Sequence, residues 1–110
     1  MRHAFACAVC LLMPGIAAAQ DFSGRYHIDS CATGHPEGAM TIAGDRADFY
    51  ESTCRLTNPV AVRDMGDATL FDMVCTGEGE SWSFRALLMR GQDGLVFVRE
   101  GQGGTYARCN

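Results

Sequence analysis

Two glutamates one residue apart, Glu78 and Glu80, lie between glycines in the stretch CTGEGESW, residues 75–82. Paired carboxylates can serve as a general acid and base, cradle a cation, or only solvate a turn. Glycoside-type acid catalysis needs two carboxyls facing each other across a substrate, about 5 Å or more apart, with one pKa raised by burial. Two glutamates on one exposed turn supply no burial. A calcium loop needs more oxygen ligands in register than this stretch carries. What remains is a solvated hairpin tip, or a binding loop in which Glu78 and Glu80 meet a basic partner. Arg85 would then brace one of them across the strand, and Trp82, the sole tryptophan, would stand beside the loop.

The other chemistry-bearing residues give weaker patterns. His27, Asp29, His35 and Glu37 are close in sequence and of types that suit zinc or copper. Yet His27 and Asp29 fall on the polar face of a strand, and His35 lies in a Gly-Pro loop, so no metal site is expected. Ser23, Ser30, Ser52, Ser81 and Ser83 have no nucleophile-elbow setting. A small β-domain also rarely offers the deep cleft that enzymes use. The expectation is a protein that is not an enzyme and carries no cofactor.

The compartment follows from the first residues. MRHAFACAVCLLMPGIAAAQ has a positive end at Arg2, an apolar run from Ala4 to Met13, and the small residues Ala17-Ala18-Ala19. That is the pattern of a secretory leader cleaved after Ala19, and the run is too short for a membrane span, which takes roughly 20 residues. Residues 20–110 then form one domain that is secreted, or periplasmic if the host is Gram-negative. Four cysteines remain, Cys31, Cys54, Cys75 and Cys109. An even number in an exported chain points to two disulfides. With Arg2 removed, eight arginines face thirteen acids, a net charge of −5 with histidine neutral. An acidic surface disfavours nucleic acid, which needs a cationic face, and anionic membranes. No membrane insertion is expected after cleavage.

Glycines punctuate residues 20–110 with alternating apolar residues between them, which predicts an all-β domain. Phe22–Ile28 alternates, with Phe22, Tyr26 and Ile28 on one side. Cys31–Gly38 is a loop. Ala39–Ala43 is a strand with Met40 and Ile42 inward. Gly44-Asp45 turns, and Ala47–Ser52 returns with Ala47 and Phe49 facing in. Cys54-Arg55-Leu56 continues that run or opens a new strand, and Asn58-Pro59 breaks the ladder because proline cannot donate to it. Val60–Arg63 alternates again, and Met65-Gly66-Asp67 turns. Ala68–Thr76 is a strand with apolar residues on both faces. Gly77–Glu80 connects it to Ser81–Arg90, where Trp82, Phe84, Ala86 and Leu88 share a face opposite Ser81, Ser83 and Arg85. Leu95–Val98 follows, then a glycine loop over 101–104, then Thr105–Cys109. About eight short strands in a meander close into an antiparallel up-and-down barrel or fold into a two-layer sandwich, because an open sheet leaves unpaired edges. The barrel is favoured.

A hairpin about Met65-Gly66-Asp67 brings Cys54 within about two residues of facing Cys75, and Asn58-Pro59 can absorb the offset. That predicts the pairs Cys54–Cys75 and Cys31–Cys109. Gly24-Arg25-Tyr26 on the first strand and Arg108 on the last resemble the pattern of small calycin-type barrels. These begin with a glycine, any residue, then a tryptophan, and close with a basic residue over that ring. Tyr26 stands where the tryptophan would be, and the likeness spans four positions. It implies a barrel closed first strand to last by a cation–π contact, and it implies no ligand.

One anomaly remains. If the fold has a single core, Phe71, Met73, Leu87 and Met89 point outward and mark an interaction face; otherwise both faces are covered, as by the loop Cys31–Gly38. Three functions follow. The first is an exported binding protein that inhibits a basic secreted or periplasmic enzyme through Glu78 and Glu80. The second is a carrier of a small apolar ligand in a barrel lined by Trp82, Phe84 and Phe97. The third is an assembly partner using the Phe71/Leu87/Met89 face. A monomer is expected, with a dimer as the alternative.

Overall fold

Alternating apolar residues between short turns give strands that bury one face each. The computed structural model describes residues 20–32 and 34–110. The expected leader, residues 1–19, lies outside the described residues. The strands are β1 (Gly24–His27), β2 (Ala39–Ala43), β3 (Arg46–Phe49), β4 (Ser52–Ala61), β5 (Thr69–Gly77), β6 (Glu80–Arg90), β7 (Gly94–Arg99) and β8 (Gln102–Cys109). Each pairs antiparallel with the next, and β8 returns to β1, closing an eight-stranded up-and-down barrel. Closure removes the sheet edges that a meander would otherwise expose.

Both disulfides form as expected. Cys54 and Cys75 are direct cross-strand partners, and a bulge between Thr57 and Val60 takes up the offset around Asn58-Pro59. Cys31–Cys109 ties the loop after β1 to the last strand. The Arg108 guanidinium carbon lies 5.8 Å from the centroid of the Tyr26 ring, where β1 meets β8.

Five sequence expectations need correction. Ala47–Ser52 is not one strand: Tyr50-Glu51 turns the chain between β3 and β4, with Glu51 at φ 63°. No glycine or proline marks that turn. The glycines at 103 and 104 are not loop but β8, opposite Val98 and Phe97, and the turn is Glu100-Gly101. Phe71 and Met73 are buried rather than outward. They face Ala86 and Phe84 across the β5–β6 ladder, and directly opposed residues share a face. The outer face instead carries Leu70, Leu87 and Val98 in one cross-strand row, half-buried except for exposed Val98. Ile28 is exposed rather than inward, because β1 ends at His27.

His27 is the fifth correction, since it is buried and not on a polar face. The backbone N–H groups of Asp29 and Ser30 donate to its Nδ1 at 3.1 and 3.3 Å. Nδ1 is therefore unprotonated, and Nε2–H donates to the His35 carbonyl at 2.7 Å. Both ring nitrogens are spent on the loop after β1, so the imidazole is a strut for that loop. Gly38 lets it approach: a Cβ there would lie 2.7 Å from the ring's Cε1.

The lower barrel is filled. Phe22, Met40, Met73, Leu88 and Leu95 are fully buried, and Phe22 meets Phe71 edge-on at 6.1 Å. The Arg90 guanidinium lies 5.0 Å from the Phe22 ring centroid and pairs with Asp67 at 3.0 Å. The Tyr26 hydroxyl donates to the Phe22 carbonyl at 2.7 Å. The segment before β1 thus plugs one end.

Candidate functional site: the open barrel mouth

An eight-stranded barrel is just wide enough either to be filled by its own side chains or to hold one small ligand. This barrel does both, at different heights. Beyond the plugged lower half, the upper half is hollow, with a cavity of about 650 Å³. It opens at the end formed by the loop after β1 and the turns at 50–51, 78–79 and 100–101.

The hollow has a local cause. Alternation along β8 puts Gln102, Gly104 and Tyr106 on the inner face. Gly104 stands opposite Phe97, and a Cβ built on it would meet nothing within 4 Å. Its φ is not in the left-handed region. Glycine at this position is therefore needed by no turn and leaves space where another residue would fill the barrel.

Aromatic rings make the wall. Phe97 is the hub, with ring centroids 6.3 Å from Phe49, 6.4 Å from Phe84 and 5.9 Å from Tyr106. Trp82 and Ile28 stand nearer the rim, each more than a third exposed at 38% and 45%. Large apolar groups held that wet, beside a cavity, are poised to gain from burial. The Arg99 guanidinium lies 3.9 Å from the Phe84 ring centroid and also lines the cavity. Burial pushes the Tyr106 hydroxyl pKa up, against the opposing pull of the Arg99 charge.

The rim carries acids. Glu78 and Gly79 form a two-residue turn with φ of 49° and 78°, the double positive φ of the tight hairpin that matches strand twist. Glu78 is at its apex, and Glu80 is the first residue of β6; both are exposed. Glu51 lies against this hairpin, and the Glu78 carboxyl beside it raises the Glu51 pKa. Neither Glu51 nor Glu78 lines the cavity.

Of the four residues singled out in sequence, only Trp82 lines the cavity. Glu78 and Glu80 stand on the rim. Arg85 does not brace them; its guanidinium donates to Asp72 at 2.8 Å on the outer face. The side-chain amide of Asn58, and then Arg85, hold the Asp72 pKa below its usual value. Trp82, Phe84 and Phe97, named for a carrier interior, do line one cavity. The sequence reading missed Phe49, Arg99, Gly104 and Tyr106. Extending the alternation of Tyr106 back through Gly104, instead of stopping at a glycine loop, would have found the empty position. Among the described residues no three His, Cys, Asp or Glu side chains converge on a point that could hold a metal.

Comparison with protein-family models, with curated proteins and with solved structures finds no match to this chain.

Proposed function

We propose that this is a small exported binding protein whose barrel mouth takes up an apolar ligand. One observation carries the reading: a cavity of about 650 Å³ walled by Phe49, Trp82, Phe84, Phe97 and Tyr106, and kept open by Gly104. The volume falls within the roughly 300–1,000 Å³ of small-molecule sites. Two disulfides fit an oxidising compartment, and the leader pattern at the N-terminus fits export into one. Crosslinked strands also hold the wall in place before binding, which lowers the entropy lost on docking.

The test uses the oxidised chain from Gln20 to Asn110 and N-phenyl-1-naphthylamine, an uncharged probe that brightens in apolar surroundings. Saturable, one-to-one brightening with the native chain is expected, and none with Gly104→Leu, which fills the space without straining the backbone. No brightening with the native chain, or equal brightening with Gly104→Leu, would contradict the reading.

A second reading keeps the Glu78 hairpin as a docking element for a basic secreted or periplasmic enzyme. It is favoured by the position of Glu78, at an exposed apex with the Glu51 carboxyl beside it. Charge at such a rim acts mainly on encounter rate. The double variant Glu78→Gln/Glu80→Gln should then slow association with a basic enzyme and flatten its salt dependence; an unchanged on-rate would remove this reading.

A further inference from the structure

The cavity has one charged side chain in its wall, and its sign narrows the ligand. Arg99 ends β7, and its guanidinium is laid on the Phe84 ring. Among the described residues no carboxylate or carbonyl accepts a hydrogen bond from it or forms an ion pair with it. Of the other described arginines, Arg46, Arg63, Arg85 and Arg90 pair with aspartates and Arg25 donates to the carbonyl of Asn110. Arg55 and Arg108, the latter stacked on Tyr26, are without an ion pair like Arg99 but do not line the cavity. A guanidinium stacked on a ring keeps its in-plane N–H donors free and aimed. Arg99 is thus held at the edge of an aromatic hollow with its donors unspent.

The acids of the rim lie outside the cavity. Glu51 is on the β3–β4 turn, four strands around the closed ring from the β7–β8 turn, and Glu78 is on the β5–β6 turn. Glu100 follows Arg99 on the β7–β8 turn itself, but it is exposed, does not line the cavity and forms no ion pair with Arg99. An occupant of the cavity meets Arg99 and none of these glutamates in its lining. Exposed charges on the rim are screened by salt, so direct contact with Arg99 inside the cavity outweighs the acids outside it. Tyr106 lines the same cavity, and its hydroxyl can donate a hydrogen bond.

We infer that the ligand is an amphipathic monoanion, with its apolar body against Trp82, Phe84 and Phe97 and its carboxylate on the Arg99 guanidinium. This rests on the proposed apolar pocket and adds the chemical class of what fills it. A planar guanidinium suits a carboxylate because two parallel N–H···O bonds can form at once.

Three probes of equal chain length test it through the fluorescence of Trp82: decanoate, 1-decanol and decyltrimethylammonium, each kept below its aggregation concentration. Decanoate should bind roughly tenfold or more tighter than 1-decanol, the range expected of a charge-assisted hydrogen bond. Decyltrimethylammonium should bind weakest, and Arg99→Gln should erase the preference for the anion. If 1-decanol or the cation binds as tightly as decanoate to the native chain, the inference about Arg99 is wrong while the apolar pocket stands. If none of the three changes Trp82 emission, the pocket and the inference fall together. The comparison among probes on the native chain needs no variant, so a folding defect in Arg99→Gln would not blunt it.

Discussion

At the scale of single residues, two glutamates occupy backbone conformations that suit glycine or asparagine. Glu51 and Glu78 both have φ near +50 to +60°, at 63° and 49°, and a hydrogen bond to the Glu78 carboxyl, then its like charge, raises the Glu51 pKa. A non-glycine residue in the left-handed region costs about 1–2 kcal/mol. Glu78→Asn, which makes the hairpin Asn-Gly, should therefore raise the urea midpoint by the equivalent of about 1 kcal/mol. A lower midpoint would mean that Glu78 makes a stabilising contact. The same pair sets a pH signature. Because Glu78 raises the Glu51 pKa, the folded state holds that proton more tightly than the unfolded chain does. The contribution of Glu51 to stability is then full in acid and lost as pH rises through its raised pKa. Glu51→Gln should be more stable than the native chain at neutral pH, with the gain closing below the usual glutamate range. A gain that persists unchanged in acid would contradict the coupling of Glu51 to Glu78. Asp48, Asp72 and Asp21 run the other way: hydrogen bonds lower their pKa values, so their contributions are lost as pH falls through those lowered values.

At the scale of elements, what could be read from sequence was whatever alternation and turn residues encode. Ala39–Ala43, the Asn58-Pro59 break, the Met65-Gly66-Asp67 turn and the two-faced strand after Glu80 all follow from period two and from glycine, proline and asparagine chemistry. The cysteine pairs followed from the same hairpin. The failures have physical causes too. The turn at Tyr50-Glu51 uses a strained glutamate in place of glycine, so no turn residue announces it. Gly103-Gly104 looked like loop because glycine weakens a strand, but neighbours on β7 and the closing contact with β1 hold β8 in register. The inward face of β5 could not be chosen because Leu70 and Phe71, Met73 and Val74 offer apolar residues on both sides. Only the pairing with Trp82, Phe84 and Ala86 on β6 decides it. His27 was misplaced because a buried imidazole that caps a loop with both nitrogens looks, in sequence, like any polar-face residue. The Cys54–Cys75 crosslink joins β4 to β5 and forms part of the cavity wall at Cys54. Its loss, as Cys54→Ala/Cys75→Ala, should cost about 3 kcal/mol in the chain-entropy picture and weaken apolar-probe binding. Unchanged probe affinity would show that the wall does not depend on the crosslink.

At the scale of the whole molecule, the barrel is divided along its axis. The segment holding Phe22 fills and plugs the lower half, and the upper half is left open by a glycine facing an aromatic hub. A domain this small has little core to spare, and two crosslinks offset that shortage. The outer row Leu70, Leu87 and Val98 is the other apolar feature, so binding at the mouth must be distinguished from adhesion to that face. Amide shift mapping of the isotope-labelled, oxidised chain during a titration with 1-decanol makes the distinction directly. Saturating shifts are expected at Phe97, at Gly101, Gly103 and Gly104, and at the Trp82 indole N–H, with Leu70, Leu87 and Val98 still. Shifts confined to the Leu70/Leu87/Val98 row, or none that saturate, would show that the hollow half of the barrel is not a binding site.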